Sequence, residues 1–203
     1  MADKHHYFFA VKLPNDVKSF LHNWIEQNRE KFPFKRWVHE ADYHITLAFL
    51  GFAEEEMKIK SIQSVSSAIS DIGPVSLTLS NIGTFGSPKS PRIFWAGVNE
   101  SQNLNNLQKQ VYQQCIEVGF QLDKKPFRPH ITLARKWEGE QPFDINSLIP
   151  ILSEDGKEVS FEVNEVVLYE THLDKSPKYK EYAVFSLKKE IKGCTERKFL
   201  HSL

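Results

Sequence analysis

Two short segments carry residue types that can do chemistry: His44-Ile45-Thr46-Leu47-Ala48-Phe49 and His130-Ile131-Thr132-Leu133-Ala134-Arg135, which differ only at their last position. Histidine is the side chain whose unperturbed pKa lies nearest neutrality, so a matched pair is a candidate acid and base. On a strand, residues two apart share a face. His44 and Thr46 are therefore expected on one face with Ile45 and Leu47 turned to the core, and His130 and Thr132 likewise against Ile131 and Leu133. A single such histidine is most simply a satisfied strand residue. Packing gives no reason to place His and Thr at matched positions twice. Two imidazoles and two hydroxyls facing one cleft suit metal-free phosphoryl transfer. One imidazole takes a proton from water, the other gives one to the leaving oxygen, and the hydroxyls donate to non-bridging phosphate oxygens. Such a pair is expected to give a bell-shaped rate profile between about pH 5 and 8.

Other chemistries lack their signatures. There is no glycine-rich phosphate loop, no cysteine cluster, no His-Glu-x-x-His and no Gly-x-Ser-x-Gly elbow. Cys115 and Cys194 form neither a disulfide framework nor a metal spacing. Cys115 falls on the apolar face of a predicted helix and reads as a buried thiol, Cys194 as exposed in a polar tail. A rival arrangement would join His44, His130 and His172 in a metal triad, but no carboxylate pattern accompanies it. His5, His6, His22, His39 and His201 have no recurring context and read as surface residues.

The bulk numbers allow a real core. In 203 residues, 40% are hydrophobic and 26% charged, the range of a globular chain. With 26 basic against 26 acidic residues, a large nonspecific nucleic-acid footprint is not expected, and any RNA contact should be local. The stretch from Met1 to His6 has no signal-peptide character and no apolar run reaches membrane length, so a cytoplasmic protein is expected.

The elements that must position the pair follow from periodicity. Strands are predicted over 7–13, within 37–50, and over 75–80, 92–98, 161–171 and 179–187. Helices are predicted over 15–30, 54–72 and 101–119. Their inward stripes contain Val17, Phe20, Leu21, Trp24 and Ile25; Ile62, Val65, Ile69 and Ile72; and Leu104, Leu107, Val111, Cys115 and Val118. The Gly-, Ser- and Pro-rich stretch 82–91 reads as a loop, and 190–203 as a fraying tail. This order favours α+β over a doubly wound sheet, with no interdomain linker.

At this point the residues resemble a family. The paired His-x-Thr-x segments look like those of the two-histidine phosphoesterase superfamily, and the surroundings resemble its bacterial RNA 2′,3′-cyclic phosphodiesterase branch, often called 2′-5′ RNA ligases. The blocks that carry the resemblance are Phe8-Phe9-Ala10 with Leu13-Pro14, 44–51 (HITLAFLG), 92–95 (RIFW), 127–135 (FRPHITLAR) and 168–173 (LYETHL), within roughly residues 7–187. Two departures are Thr171, where the family usually carries Ser, and Ser176-Pro177, near its usual Gly-Ala pair.

The resemblance implies a single bilobal pseudo-twofold domain over 1–203, with two mainly antiparallel β-sheets and flanking helices around a central groove. It implies hydrolysis of terminal 2′,3′-cyclic phosphate on RNA or nucleotides to a 2′-phosphate. Because no ligand cluster accompanies the two motifs, no metal or cofactor is expected, and a monomer is expected. His44 would be the proton donor and His130 the acceptor, with Thr46 and Thr132 holding phosphate and Arg135 contacting it. Phe49 takes the corresponding place in the first copy, either stacking on a base or packing in the core. Ligation in the reverse direction and a non-catalytic RNA-end binder remain alternatives. Arg135 poses a difficulty: it is an odd number of residues from His130, so an unbroken strand would turn it away from the groove. A bulge or strand end would be needed, or Arg135 is a solvated charge. Arg128, Lys124 and Lys125 could steer phosphate or simply lie in a solvated turn.

Overall fold

The computed structural model describes residues 5–147 and 156–188. Cys194, His201 and the tail 190–203 lie outside the described residues. Strand β1 (His6–Lys12) ends before Pro14, and α1 (Asn15–Asn28) follows. Then come β2 (Phe34–Trp37), β3 (His44–Phe52), α2 (Glu55–Ala68), β4 (Val75–Ser87) and β5 (Ser90–Val98). The chain continues with α3 (Gln102–Val118), β6 (His130–Trp137), β7 (Ser160–Val163), β8 (Glu165–Thr171) and β9 (Tyr179–Ser186). The helices form as their apolar stripes require. Helix α3 is capped by Ser101, whose hydroxyl accepts from the Leu104 N–H, and stops at Gly119 with φ +110°. Its face Leu104, Leu107, Val111 and Cys115 is fully buried.

The strands run β7-β4-β5-β6-β3-β1-β8-β9, every pairing antiparallel. Each half follows the same plan: a strand, a helix, then a motif-bearing strand paired back on the first (β1-α1-β3 and β5-α3-β6). The motif strands are innermost and touch at Ile45 against Ile131. Beyond that contact, the far end of β6 pairs with β2. Ile45, Leu47, Ile131 and Leu133 are all buried in the core beneath the helices, as alternation requires.

Three expectations change. The stretch 82–91 is a strand hairpin, not a loop. Gly83 is there because a Cβ would stand 2.2 Å from the Trp95 ring, and Gly86, at φ +107°, sits at a register shift opposite Pro91. These glycines mark close approach and a bulge within strands. The single strand expected over 161–171 is two: β7 pairs with β4 and β8 with β1, so the chain crosses between the halves at Asn164. Helix α2 ends at Ala68, although Ile69 still packs inward. Among the described residues, no helix is long and apolar enough to cross a membrane.

Candidate active site

Both motif strands carry a bulge at the same place. Along β3, Ala48 pairs with Phe9 and Thr46 with Ala10, leaving Leu47 as an extra residue. Along β6, Ala134 pairs with Phe94 and Thr132 with Trp95, leaving Leu133 extra. The bulge reverses the alternation, so Leu47 and Ala48, and equally Leu133 and Ala134, are buried in succession. The sixth position then returns to the face of the histidine. That places Phe49 and Arg135 on the groove face and resolves the parity difficulty.

Each histidine is oriented by the carbonyl two residues before it. His44 Nδ1 lies 2.7 Å from the Asp42 carbonyl, and His130 Nδ1 lies 2.8 Å from that of Arg128. A carbonyl only accepts, so each Nδ1 carries the hydrogen and each neutral Nε2 presents a lone pair. The Thr46 hydroxyl donates to His44 Nε2 at 3.1 Å. Where the strands meet at Ile45 and Ile131, antiparallel pairing sets His44 across from Thr132 and His130 across from Thr46. Thr46 and His130 line one cavity of about 810 Å³, with Phe49, Phe85, Gln108 and Arg128.

The walls are aromatic. His44 lies 4.8 Å from the Phe8 ring, 5.2 Å from Tyr179 and 5.9 Å from Tyr169. His130 meets Phe85 edge-on at 4.9 Å, with Trp95 at 6.4 Å. Burial among these rings lowers both imidazole pKa values. His44 falls to about 4: burial dominates, the bond to Asp42 opposes it, and the charges of His130, Lys18 and Arg135 lower it further. For His130, burial again leads, opposed by the Arg128 carbonyl and reinforced by Arg135. The titration range is therefore more acidic than residue type alone suggests.

The positive charge of Arg135 counteracts part of the rise that burial gives the Tyr179 hydroxyl pKa, so its guanidinium acts across the groove on the opposite half. Phe49 is 55% exposed, which removes the core-packing alternative. Arg128 and Lys125 both line the cavity, Lys125 paired there with Asp123 at 2.9 Å.

His172 is not drawn to the groove. It bonds Glu170 at 3.0 Å and packs, tilted by 46°, against His5 at 4.4 Å, and Glu170 accepts from the Tyr7 hydroxyl at 2.6 Å. Tyr7 packs against Lys58 of α2, and Phe8, on the opposite face of β1, packs on His44. His5, Glu170 and His172 have ligating atoms within 4.8 Å of one another, so the described histidines do not assemble as His44, His130 and His172. His5 is thus half-buried in a cluster and not a bare surface residue, whereas His39 is exposed as expected and caps a 3₁₀ turn by accepting from the Ala41 N–H.

Sequence reasoning missed Asp42. Its buried carboxylate accepts from the Lys178 N–H at 2.9 Å and the Tyr179 N–H at 3.1 Å. It also missed Tyr179, Phe85 and Trp95 as groove walls.

Comparison with known proteins agrees with this geometry. The model of the 2′-5′ RNA ligase superfamily matches residues 17–175. The chain is 44% identical to the RNA 2′,3′-cyclic phosphodiesterase of Geobacillus stearothermophilus, over 90% of this chain but 57% of that protein, so it spans little more than half the length of that relative. It is 37% identical to the RNA 2′,3′-cyclic phosphodiesterase of Bacillus subtilis (strain 168), over 90% of this chain and 96% of the relative. In fold it resembles E. coli LigT complexed with 3′-AMP, with a TM-score of 0.76 at 23% identity over 91% of this chain and 99% of that one. A structure from Thermus thermophilus gives 0.72 at 25% identity, over 91% and 99%. Two bulged His-x-Thr strands meeting at one groove, in a sequence so matched, settle the family: the chain belongs to the 2′-5′ RNA ligase superfamily of two-histidine phosphoesterases.

Proposed function

We propose that the protein hydrolyses the terminal 2′,3′-cyclic phosphate of RNA to a 2′-phosphate, by acid–base catalysis between His130 and His44 without a metal ion. The observation that carries this reading is the matched orientation of the two imidazoles. Each Nδ1 is tied to a carbonyl, which makes the Nε2 of each ring, that of His44 beside the Thr46 hydroxyl, the nitrogen that exchanges protons. The relatives named RNA 2′,3′-cyclic phosphodiesterase support the substrate class.

In the reaction, His130 Nε2 takes a proton from water as the water oxygen bonds to phosphorus. The bond from phosphorus to the 3′ oxygen breaks, and that oxygen receives the proton of His44 Nε2. The products are a 2′-phosphomonoester and a free 3′-hydroxyl. Thr46 and Thr132 donate to the non-bridging oxygens, where charge grows in the transition state, and Arg135 offsets that charge. Phe49 offers an exposed ring for the base. Both histidines come from one chain, so action as a monomer belongs to the same reading, as does a cytoplasmic location.

Incubation with 2′,3′-cyclic AMP, with and without EDTA, tests the proposal. Turnover unaffected by the chelator is expected. Absence of turnover, or turnover lost in EDTA and restored by zinc or manganese, would overturn it.

A further inference from the structure

The groove face of the second half does not end at Thr132. Cross-strand partners share a face of a sheet, and the strand pairings extend that face outward. Arg135 pairs with Ile93 on one side and with Arg36 of β2 on the other, while Ile93 pairs with Phe85. A second cavity of about 750 Å³ lies over this strip, lined among others by Arg36, Arg92, Arg135, Lys136, Phe85 and Trp137. Phe85 also lines the first cavity and packs on His130, so it is the wall shared by the two.

Charge makes this second cavity unusual. Four cationic side chains line it and no carboxylate does. Lys136 is paired with Glu138 at 2.9 Å, but among the described residues no carboxylate forms an ion pair with Arg36, Arg92 or Arg135. Arg36 and Arg135 are direct cross-strand neighbours, an arrangement that like charges disfavour without an anion between them. The chain carries no net charge, so this concentration is local. Cations alternating with aromatic rings along a groove match single-stranded nucleic acid, whose phosphates take the charge and whose bases take the rings.

We infer that this cavity binds the internucleotide phosphates of the RNA strand immediately upstream of the cyclic end; the inference rests on the RNA-end substrate proposed above. A terminal nucleotide in the first cavity leaves through its 5′ oxygen. The shared Phe85 wall then directs the preceding phosphate past Arg135 toward Arg36 and Arg92, with Trp137 beside the next base. The protein thereby distinguishes an RNA end from a free cyclic nucleotide.

The test compares 2′,3′-cyclic AMP with a triadenylate ending in 2′,3′-cyclic phosphate, in its natural form and with neutral methylphosphonate internal linkages. The natural trinucleotide should have the higher kcat/KM and a steeper salt dependence, by about 0.7 in log–log slope for each phosphate held. Arg36→Gln and Arg92→Gln should each remove about one such increment. Turnover of the mononucleotide and the melting temperature should stay unchanged. Equal kcat/KM and salt slope for the mononucleotide and both trinucleotides would overturn the inference, as would variants that impair all substrates alike. Fluorescence anisotropy of a 5′-labelled triadenylate reads the same salt slopes without turnover. If no substrate is hydrolysed, the proposed reaction falls, and the inference still stands or falls on those slopes and their loss in Arg36→Gln and Arg92→Gln.

Discussion

Asp42 holds His44 by its main chain and the opposite edge of the groove by its side chain. Its carbonyl lies 2.7 Å from His44 Nδ1, and its buried carboxylate accepts from the Lys178 and Tyr179 N–H groups, at 2.9 and 3.1 Å. One residue thus fixes the tautomer of one catalytic candidate and the position of the Tyr179 ring that walls it.

Asp42→Ala removes the acceptor of two main-chain N–H groups and is expected to cost about 1–3 kcal/mol in urea denaturation, the penalty for leaving such groups unmet. The kcat should fall as well, because Tyr179 is no longer pinned beside His44. Asp42→Asn keeps one oxygen for both donors and should recover most of the stability. An Ala variant with native stability and native kcat would remove Asp42 from this role.

His44→Ala and His130→Ala are each expected to lower kcat by about 10²–10⁴-fold, the usual weight of one acid–base group. The double variant should lose less than the product of the two effects, because both groups serve one step. Single-turnover rates on 2′,3′-cyclic AMP decide the matter. A single variant that keeps near-native turnover excludes that histidine from proton transfer.

Much of this site was legible along the chain. The helices follow from apolar stripes, and the faces of His44, Thr46, His130 and Thr132 follow from period-two alternation. The signal failed where pairing decides the outcome. The bulges at Leu47 and Leu133 are set by how β1 and β5 lie against the motif strands, and no local residue announces them. The glycines of 82–91 punctuate the sequence as a loop does, yet they serve the Trp95 ring and a bulge. Asp42 and Lys178 are 136 positions apart, beyond any local pattern. The place of His172 was out of reach for a related reason: it lies on the face that meets α2, with Glu170 and His5.

The pH profile carries the mark of burial. In the proposed mechanism the free protein is productive with one imidazole protonated and the other neutral, and kcat/KM reports that form. Burial lowers both pKa values, His44 to about 4. The maximum of kcat/KM is therefore expected on the acid side of the ordinary imidazole value, with a decline as pH rises through neutrality and the required proton is lost. A bound phosphate anion favours the imidazolium, so the falling limb of kcat should lie at higher pH than that of kcat/KM. Arg135→Gln removes a charge that lowers both pKa values, so it should move the kcat/KM limb upward. The two apparent values belong to the pair. A kcat/KM that climbs steadily from pH 6 to 9 would show that other groups move the protons.

The regiochemistry of ring opening tests which histidine is acid and which is base. In-line displacement puts water and the leaving oxygen on opposite sides of phosphorus, so the two imidazoles must act from opposite sides. The motifs alone are too alike to choose a direction, since a nucleotide turned end for end would exchange their roles and yield a 3′-phosphate. The structure breaks that symmetry at the sixth position. Phe49 presents an exposed ring in the first half, while the positive charge of Arg135 in the second half acts on Tyr179 and His44 across the groove. We propose that a base on Phe49 and a phosphate under Arg135 select one orientation, with the 3′ oxygen toward His44 and water toward His130. Phosphorus NMR of the product from 2′,3′-cyclic AMP should therefore show a 2′-phosphate. Exchanging the sixth residues, as Phe49→Arg with Arg135→Phe, should erode that preference. A dominant 3′-phosphate from the native protein would reverse the donor and acceptor roles while leaving the two-histidine chemistry in place.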